Sequence, residues 1–158
     1  MAKSNHITRA GWQALDQELK FLWKDERPKV TQAVSDAAAL GDRSENAEYI
    51  YGKRRLREID RRVRFLSKRL EVLQIVDYHP NQEGKVFFGA WVELENEEGD
   101  IKQYRIVGCD EFDPSKQWIS IDSPVARALI GKAVDDEIRV ETPLGKITLY
   151  VNKIWYEK

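Results

Sequence analysis

The sequence predicts an α+β chain, an antiparallel α-helical coiled-coil hairpin followed by a small antiparallel β-sheet domain with one short helix. Three features carry that prediction. Leu56, Ile59, Val63, Leu66, Leu70 and Leu73 step 3-4-3-4-3, the spacing of a coiled-coil seam. Leu40-Gly41 interrupts two long helical patterns, so the chain turns there and the second helix returns beside the first. After Tyr78 the hydrophobic period shortens to two, with turn residues between the alternating stretches. The division gives domains 1–78 and 79–158.

The 158 residues are 42% hydrophobic and 34% charged, a composition of soluble proteins with a heavily charged helical part. No apolar run approaches the ~20 residues of a membrane span, and the polar start Met1-Ala2-Lys3-Ser4-Asn5 does not read as a signal peptide. No membrane association and a cytoplasmic location are expected. Cys109 is the single cysteine, which excludes an internal disulfide, and with only His6 and His79 no zinc site can be assembled at usual spacing. Cys109 reads as a small buried apolar residue. Residues 1–78 hold 16 Lys/Arg against 12 Asp/Glu, and residues 79–158 hold 10 against 15, so the first half is basic and the second acidic.

In chain order, Thr8 is placed to cap the first helix, whose seam begins at Leu15, Leu19 and Leu22. Pro28 removes one helical hydrogen bond and crowds the preceding turn. Because Val30, Ala33, Val34, Ala37 and Leu40 resume helical spacing beyond it, a kink or local loosening is expected there and not a stop. Two helices of roughly 30 residues would put the hairpin tip on the order of 45 Å from its base. At that tip Asp42 with Glu45 fits a capping box, in which one side chain accepts a backbone hydrogen bond and the other reaches back. The same pair is also two carboxylates at the end of an arm. Beside them, Arg43, Ser44 and Asn46 are candidates for contact with a partner.

The second helix carries Lys53, Arg54, Arg55, Arg57, Arg61, Arg62, Arg64, Lys68 and Arg69 against only Glu58 and Asp60 over residues 53–69. Arg54, Arg57, Arg61, Arg64 and Lys68 share the seam's spacing but face almost oppositely to it. A solvated face would mix both signs. A stripe of one sign repels itself unless it meets phosphates, so Lys53, Arg54, Arg57, Arg61, Arg64 and Lys68 are expected to face nucleic acid.

In the second half, His79 to Gly84 reads as a linker. Lys85 to Glu95 and Ile101 to Val107 then form a hairpin around Asn96-Glu97-Glu98-Gly99-Asp100, followed by strands at Trp118 to Asp122, Glu137 to Thr142 and Lys146 to Trp155. The inward set is Val92, Leu94, Ile106, Ile119, Ile121, Ile138, Val140, Ile147, Leu149 and Val151. Ser123 as cap, Pro124 at the first helical position and Gly131 past the end bracket the one short helix. Phe87, Phe88, Trp91, Trp118 and Trp155 read as core or partner surface.

The tip segment from Leu40 to Tyr49, the run from Ser123 to Lys132 and Thr142-Pro143-Leu144-Gly145 resemble the bacterial Gre transcript-cleavage factors, end to end. The cationic second helix, Phe21-Leu22-Trp23 and the run from Gly84 to Trp91 resemble the GreB branch of that family more than the GreA branch. The resemblance implies an FKBP-like second domain docking at the rim of the RNA polymerase secondary channel, and an arm that enters the channel. It implies that the arm stimulates the polymerase's own hydrolysis of a backtracked RNA 3′ end, so the factor alone is not an enzyme. Asp42 and Glu45 match the family's catalytic acids, with Mg2+ held jointly with the polymerase and no cofactor in the isolated protein. Asp122, Ser123 and Pro124 match the rim-engaging segment. The active form is expected to be a monomer. Two other readings stay open on the residues: a channel regulator that inhibits without cleavage, and a prolyl isomerase or chaperone built on the second domain.

Overall fold

The computed structural model describes residues 3–41 and 46–157. They form two compact units: Trp12–Leu73 make one, and the residues up to Gly11 join those from Gln74 onward in the other. The expected boundary after residue 78 is thus corrected at both ends. The chain's beginning belongs with the sheet, because β1 (His6–Ile7) pairs in parallel with β2 (Gln74–Ile75) and the Ser4 amide donates to Asp122 at 3.0 Å.

The first unit is a helical arm. The helix α1 (Arg9–Phe21) passes through a π-helical turn at Leu22–Glu26 into α2 (Arg27–Ala39), and α3 (Ala47–Val72) returns. Val34 meets Gly52, Glu26 meets Arg55 and Glu18 meets Arg62. One partner's number falls as the other's rises, so the helices are antiparallel. The loosening expected at Pro28 is the π turn just before it. Arg27 N–H donates to the Leu22 carbonyl, a wider ring that lets the chain enter α2 with proline in its first turn, where the missing donor costs least.

The seam is as the spacing predicts. Ile59 and Leu66 are fully buried, Leu15, Leu22, Ala37 and Leu73 nearly so, and Leu56, Val63 and Leu70 partly. Two apolar positions of helix one depart from it. Ala33 is exposed and Leu40, which caps α2 beyond its last turn, is 78% exposed. Gly52 explains how tightly α2 and α3 approach: a Cβ there would lie 2.4 Å from Val34 Cγ2.

The second unit is built on a five-stranded sheet of order β5-β4-β3-β7-β6. Its strands are β3 (Trp91–Asn96), β4 (Ile101–Val107), β5 (Trp118–Ser120), β6 (Glu137–Thr142) and β7 (Gly145–Trp155). The expected all-antiparallel sheet is corrected to a mixed one, because β5 runs parallel to β4. Residues between them fold back through a 3₁₀ turn at Pro114–Lys116 and a left-handed Gln117, which reverses the chain twice before β5 begins.

The first strand of the hairpin starts at Trp91, six residues later than expected. Gly84 and Gly89 both take positive φ, so residues 85–90 turn instead of extending, while Val86, Phe88 and Ala90 still point inward. The expected linker at 79–84 is likewise structured, with His79 capping a 3₁₀ turn at Pro80–Gln82. The short helix α4 (Pro124–Leu129) has Ser123 as its cap, accepting from Ala126 N at 3.2 Å. Ala126 and Leu129 press onto Val86, Val92, Leu94, Ile106, Ile138, Val140 and Val151 to make the core. Ile147, expected inside, is 40% exposed, and Cys109 is only half-buried, its thiol directed at the Ser4 carbonyl 3.6 Å away.

Candidate functional site at the tip and outer face of the helical arm

Asn46 caps α3 in place of the expected Asp42. It carries extended backbone, and its Oδ1 accepts from Tyr49 N at 3.2 Å. Its amide nitrogen donates to the Ala37 carbonyl at 2.7 Å, so one half-buried side chain satisfies an orphan donor of one helix and an orphan acceptor of the other. Asn46 is therefore engaged within the arm, whereas sequence reading assigned it to partner contact. At the other side of the turn Gly41 takes a φ of 139°, which only glycine adopts without strain. Between these two ends lie Asp42, Arg43, Ser44 and Glu45, outside the described residues. The capping duty foreseen for Asp42 is met by Asn46, four positions later.

The cations of α3 divide into two sets. Arg62 donates two hydrogen bonds to Glu18, at 2.6 and 2.9 Å. Arg55 reaches Glu26 at 2.6 Å and Glu58 at 3.1 Å. From the other side Arg27 reaches Asp60 at 2.8 Å. These pairs tie the two helices together, and the guanidinium bonds hold the Glu18 and Asp60 carboxyls below their ordinary values. The second set is Lys53, Arg54, Arg57, Arg61, Arg64 and Lys68, all exposed. Among the described residues none of the six makes an ion pair. Sequence reading identified this set by its spacing, but could not tell that Arg55 and Arg62 are spent on the partner helix.

In the sheet unit, Asp122 Oδ2 accepts from Ser4 N, Ser123 caps α4 and Pro124 is exposed in its first turn. The three expected docking residues therefore sit together at one end of α4. Two features there extend the sequence reading of Thr8 as a cap and of Trp91, Trp118 and Trp155 as core or partner surface. Glu111 accepts from Thr8 N at 2.8 Å, Thr8 Oγ1 at 2.5 Å and Gly108 N at 2.9 Å, while Thr8 Oγ1 in turn accepts from Gly11 N at 3.0 Å as the cap of α1. The sheet face opposite the core also carries a row of large side chains in register, Trp118, Arg105, Trp91 and Trp155. Arg105 lies 5.4 Å from the Trp118 ring centroid, and the Trp91 and Trp155 rings stack with centroids 5.9 Å apart.

Among the described residues, no group of three or more His, Cys, Asp or Glu is arranged to hold a metal, and no helix is long and apolar enough to cross a membrane.

Two family models match the chain. The one for the N-terminal part of transcription elongation factors covers residues 5–75, and the one for the C-terminal part of GreA/GreB elongation factors covers residues 81–156. The transcription elongation factor GreB of Haemophilus influenzae is 89% identical over 158 residues, covering 100% of both chains. That of Pasteurella multocida is 87% identical over the same span, again with 100% of both chains covered. The solved structure of Thermus aquaticus Gfh1 aligns with 97% of this chain and 99% of its own at 24% identity, with a TM-score of 0.44.

Proposed function

The chain belongs to the GreA/GreB family of transcription elongation factors, and from that premise we propose how its two units divide the work. It acts on RNA polymerase as a transcript-cleavage and elongation factor, stimulating hydrolysis that belongs to the polymerase. In our reading the helical arm enters the secondary channel and carries Asp42 and Glu45 to the catalytic centre, where a backtracked RNA 3′ end has been extruded. The sheet unit, FKBP-like in this reading, holds the channel rim through Asp122, Ser123 and Pro124. The protein acts as a monomer in the cytoplasm.

The observation that carries this reading is the division of the α3 cations. An arm whose only purpose was to stand upright would spend its positive charges on its own helix partner, as Arg55 and Arg62 do. Lys53, Arg54, Arg57, Arg61, Arg64 and Lys68 are instead left exposed on the outer face, and a stripe of that kind is stabilised by phosphates. Asn46 supports the reading from the other end. Because it caps α3, helix stability at the tip does not demand the Asp42 and Glu45 carboxylates.

Asp42 and Glu45 would supply carboxylate oxygens to Mg2+ held jointly with the polymerase, which when bound would stabilise charge at the phosphate and on the attacking water. Asp42 would be the direct or water-mediated ligand of such an ion. Glu45 supports it or orients the water and accepts its proton. The water oxygen bonds to phosphorus, the bond to the upstream 3′ oxygen breaks, and that oxygen takes up a proton. The upstream RNA is left with a new 3′ hydroxyl in register for synthesis.

The test is a stalled, backtracked polymerase complex with 3′-labelled RNA and Mg2+, to which wild type, Asp42→Asn or Glu45→Gln is added, with binding of each checked by competition. Release of short 3′ fragments by wild type and its loss in variants that still bind is the expected result. Equal cleavage by all three would remove the tip carboxylates from the chemistry. Binding without cleavage by wild type would make the protein a channel-occupying inhibitor.

A further inference from the structure

We propose that Phe65 and Tyr51 are stacking platforms for bases of the extruded RNA strand, exposed on α3 beside its cationic face. The proposal rests on the RNA-facing reading of the cationic stripe and adds the contact that would hold the strand's bases where the cations hold its phosphates.

Phe65 and Tyr51 are 42% and 66% exposed, and neither belongs to the buried seam of Ile59 and Leu66, which they flank. Each ring has a guanidinium against it, Arg62 at 5.3 Å from the Phe65 centroid and Arg54 at 5.9 Å from that of Tyr51. The Arg62 guanidinium is also held by both oxygens of Glu18 across the arm. It is a fixed backing for the Phe65 ring and not a free cation competing for the strand.

Glu58, Arg61, Arg62 and Phe65 line a shallow open depression of about 470 Å³. Glu58, the one group there that would repel a phosphate, is paired with Arg55 at 3.1 Å. The two rings lie about 21 Å apart along the helix at 1.5 Å per residue, a span of several nucleotides. Arg54, Arg57, Arg61 and Arg64 fall between or beside them. Cations that track a backbone, interleaved with aromatic faces that accept any base, are the two components of sequence-tolerant single-strand binding. Charge complementarity therefore selects single-stranded RNA as the occupant over an apolar protein surface.

The experiment compares cleavage by full-length protein in polymerase complexes backtracked by a few and by many nucleotides, using wild type, Phe65→Leu, Phe65→Trp, Tyr51→Leu and the pair Arg61→Ala with Arg64→Ala. Circular dichroism confirms each helix. Loss of one stacked base costs about tenfold, so Phe65→Leu is expected to lower the ratio of long-extrusion to short-extrusion rates about tenfold, Tyr51→Leu to lower it less or similarly, and Phe65→Trp to restore it. A photoreactive uridine in the extruded strand should crosslink to α3 in wild type and lose that crosslink in Phe65→Leu.

An unchanged ratio in Phe65→Leu, with the arginine pair still defective, would overturn the stacking alone and leave the cationic reading standing. No defect in either would overturn both. Equal loss by Phe65→Leu on long and short extrusions would overturn the proposal in favour of a contact between this ring and the polymerase.

Discussion

Ile59 and Ile106 are both fully buried, but by different means. Ile59 lies in a single seam between two helices, with exposed helix surface half a turn away at Arg57 and Arg61. Ile106 lies in a sheet-and-helix core drawn from five strands, α4 and the turn at residues 85–90, with Val92, Leu129 and Val151 also wholly buried in the same cluster. The arm gains little apolar burial per residue and adds ion pairs across the seam. Among the described residues neither unit buries a polar or charged side chain, and the ion pairs of both lie at the surface. A narrow seam is the condition for an arm whose outer surface stays available for contacts.

That contrast is open to attack, first at the seam itself. Leu66→Ala removes a fully buried side chain that little can collapse to replace, and is expected to cost about 2–5 kcal/mol. Amide exchange measured residue by residue should quicken throughout residues 47–72, while the amides of β3 and β7 keep their protection. Equal quickening in both units would show that they unfold together and that the contrast is one of geometry only.

Gly52→Ala is the next largest. A Cβ that meets Val34 Cγ2 at 2.4 Å forces the helices apart, at about 1–3 kcal/mol of overpacking, partly offset by about 1 kcal/mol of better helix propensity. The double variant Gly52→Ala with Val34→Ala relieves the clash, and a thermal melt should show it more stable than Gly52→Ala alone.

Asn46→Ala is expected to cost about 1 kcal/mol from the lost α3 cap, and somewhat more because the Ala37 carbonyl loses its donor. Asn46→Asp keeps the cap acceptor but sets a carboxylate oxygen in place of the donor to the Ala37 carbonyl, losing that bond and adding repulsion. The ordering wild type, Asn46→Asp, Asn46→Ala in midpoint of denaturation tests the two halves of the bridge separately.

The smallest effect is with pH. The Glu18 and Asp60 carboxyls are held below their ordinary values of 4.5 and 3.8 by hydrogen bonds from Arg62 and Arg27. A depressed folded value gives stability that is complete above the ordinary value and is lost as pH falls through the folded one. Acidification below about pH 4 should therefore loosen the arm, seen as falling helical ellipticity, and the effect should weaken with added salt because exposed pairs are screened. Glu18→Gln should remove part of this dependence.

Much of the arm was legible because its information is local. The 3-4-3-4-3 spacing named Ile59 and Leu66, Gly41 named the turn, Pro28 named the loosening, and the one-sided charge of residues 53–69 named the outer face. The tip cap was misread for a local reason too: Asp42 with Glu45 and Asn46 are both acceptable helix starts. Only the backbone direction beyond Ala39 decides between them. Thr8 and Ser123 were recognised as caps because few other residues nearby could serve.

By itself, then, the sequence determined the two-part architecture, the seam, the cationic stripe and, through family membership, the process in which the protein acts. Tertiary structure alone decided that residues 3–11 belong with the sheet, that β5 lies parallel to β4, that residues 85–90 turn before the strand, and which arginines are spent on the partner helix. The reason is sequence distance. A helix face repeats within four residues and can be read from its neighbours, whereas Thr8 with Glu111, Ser4 with Asp122 and Glu18 with Arg62 meet across 103, 118 and 44 positions. No local pattern in the intervening chain encodes those meetings.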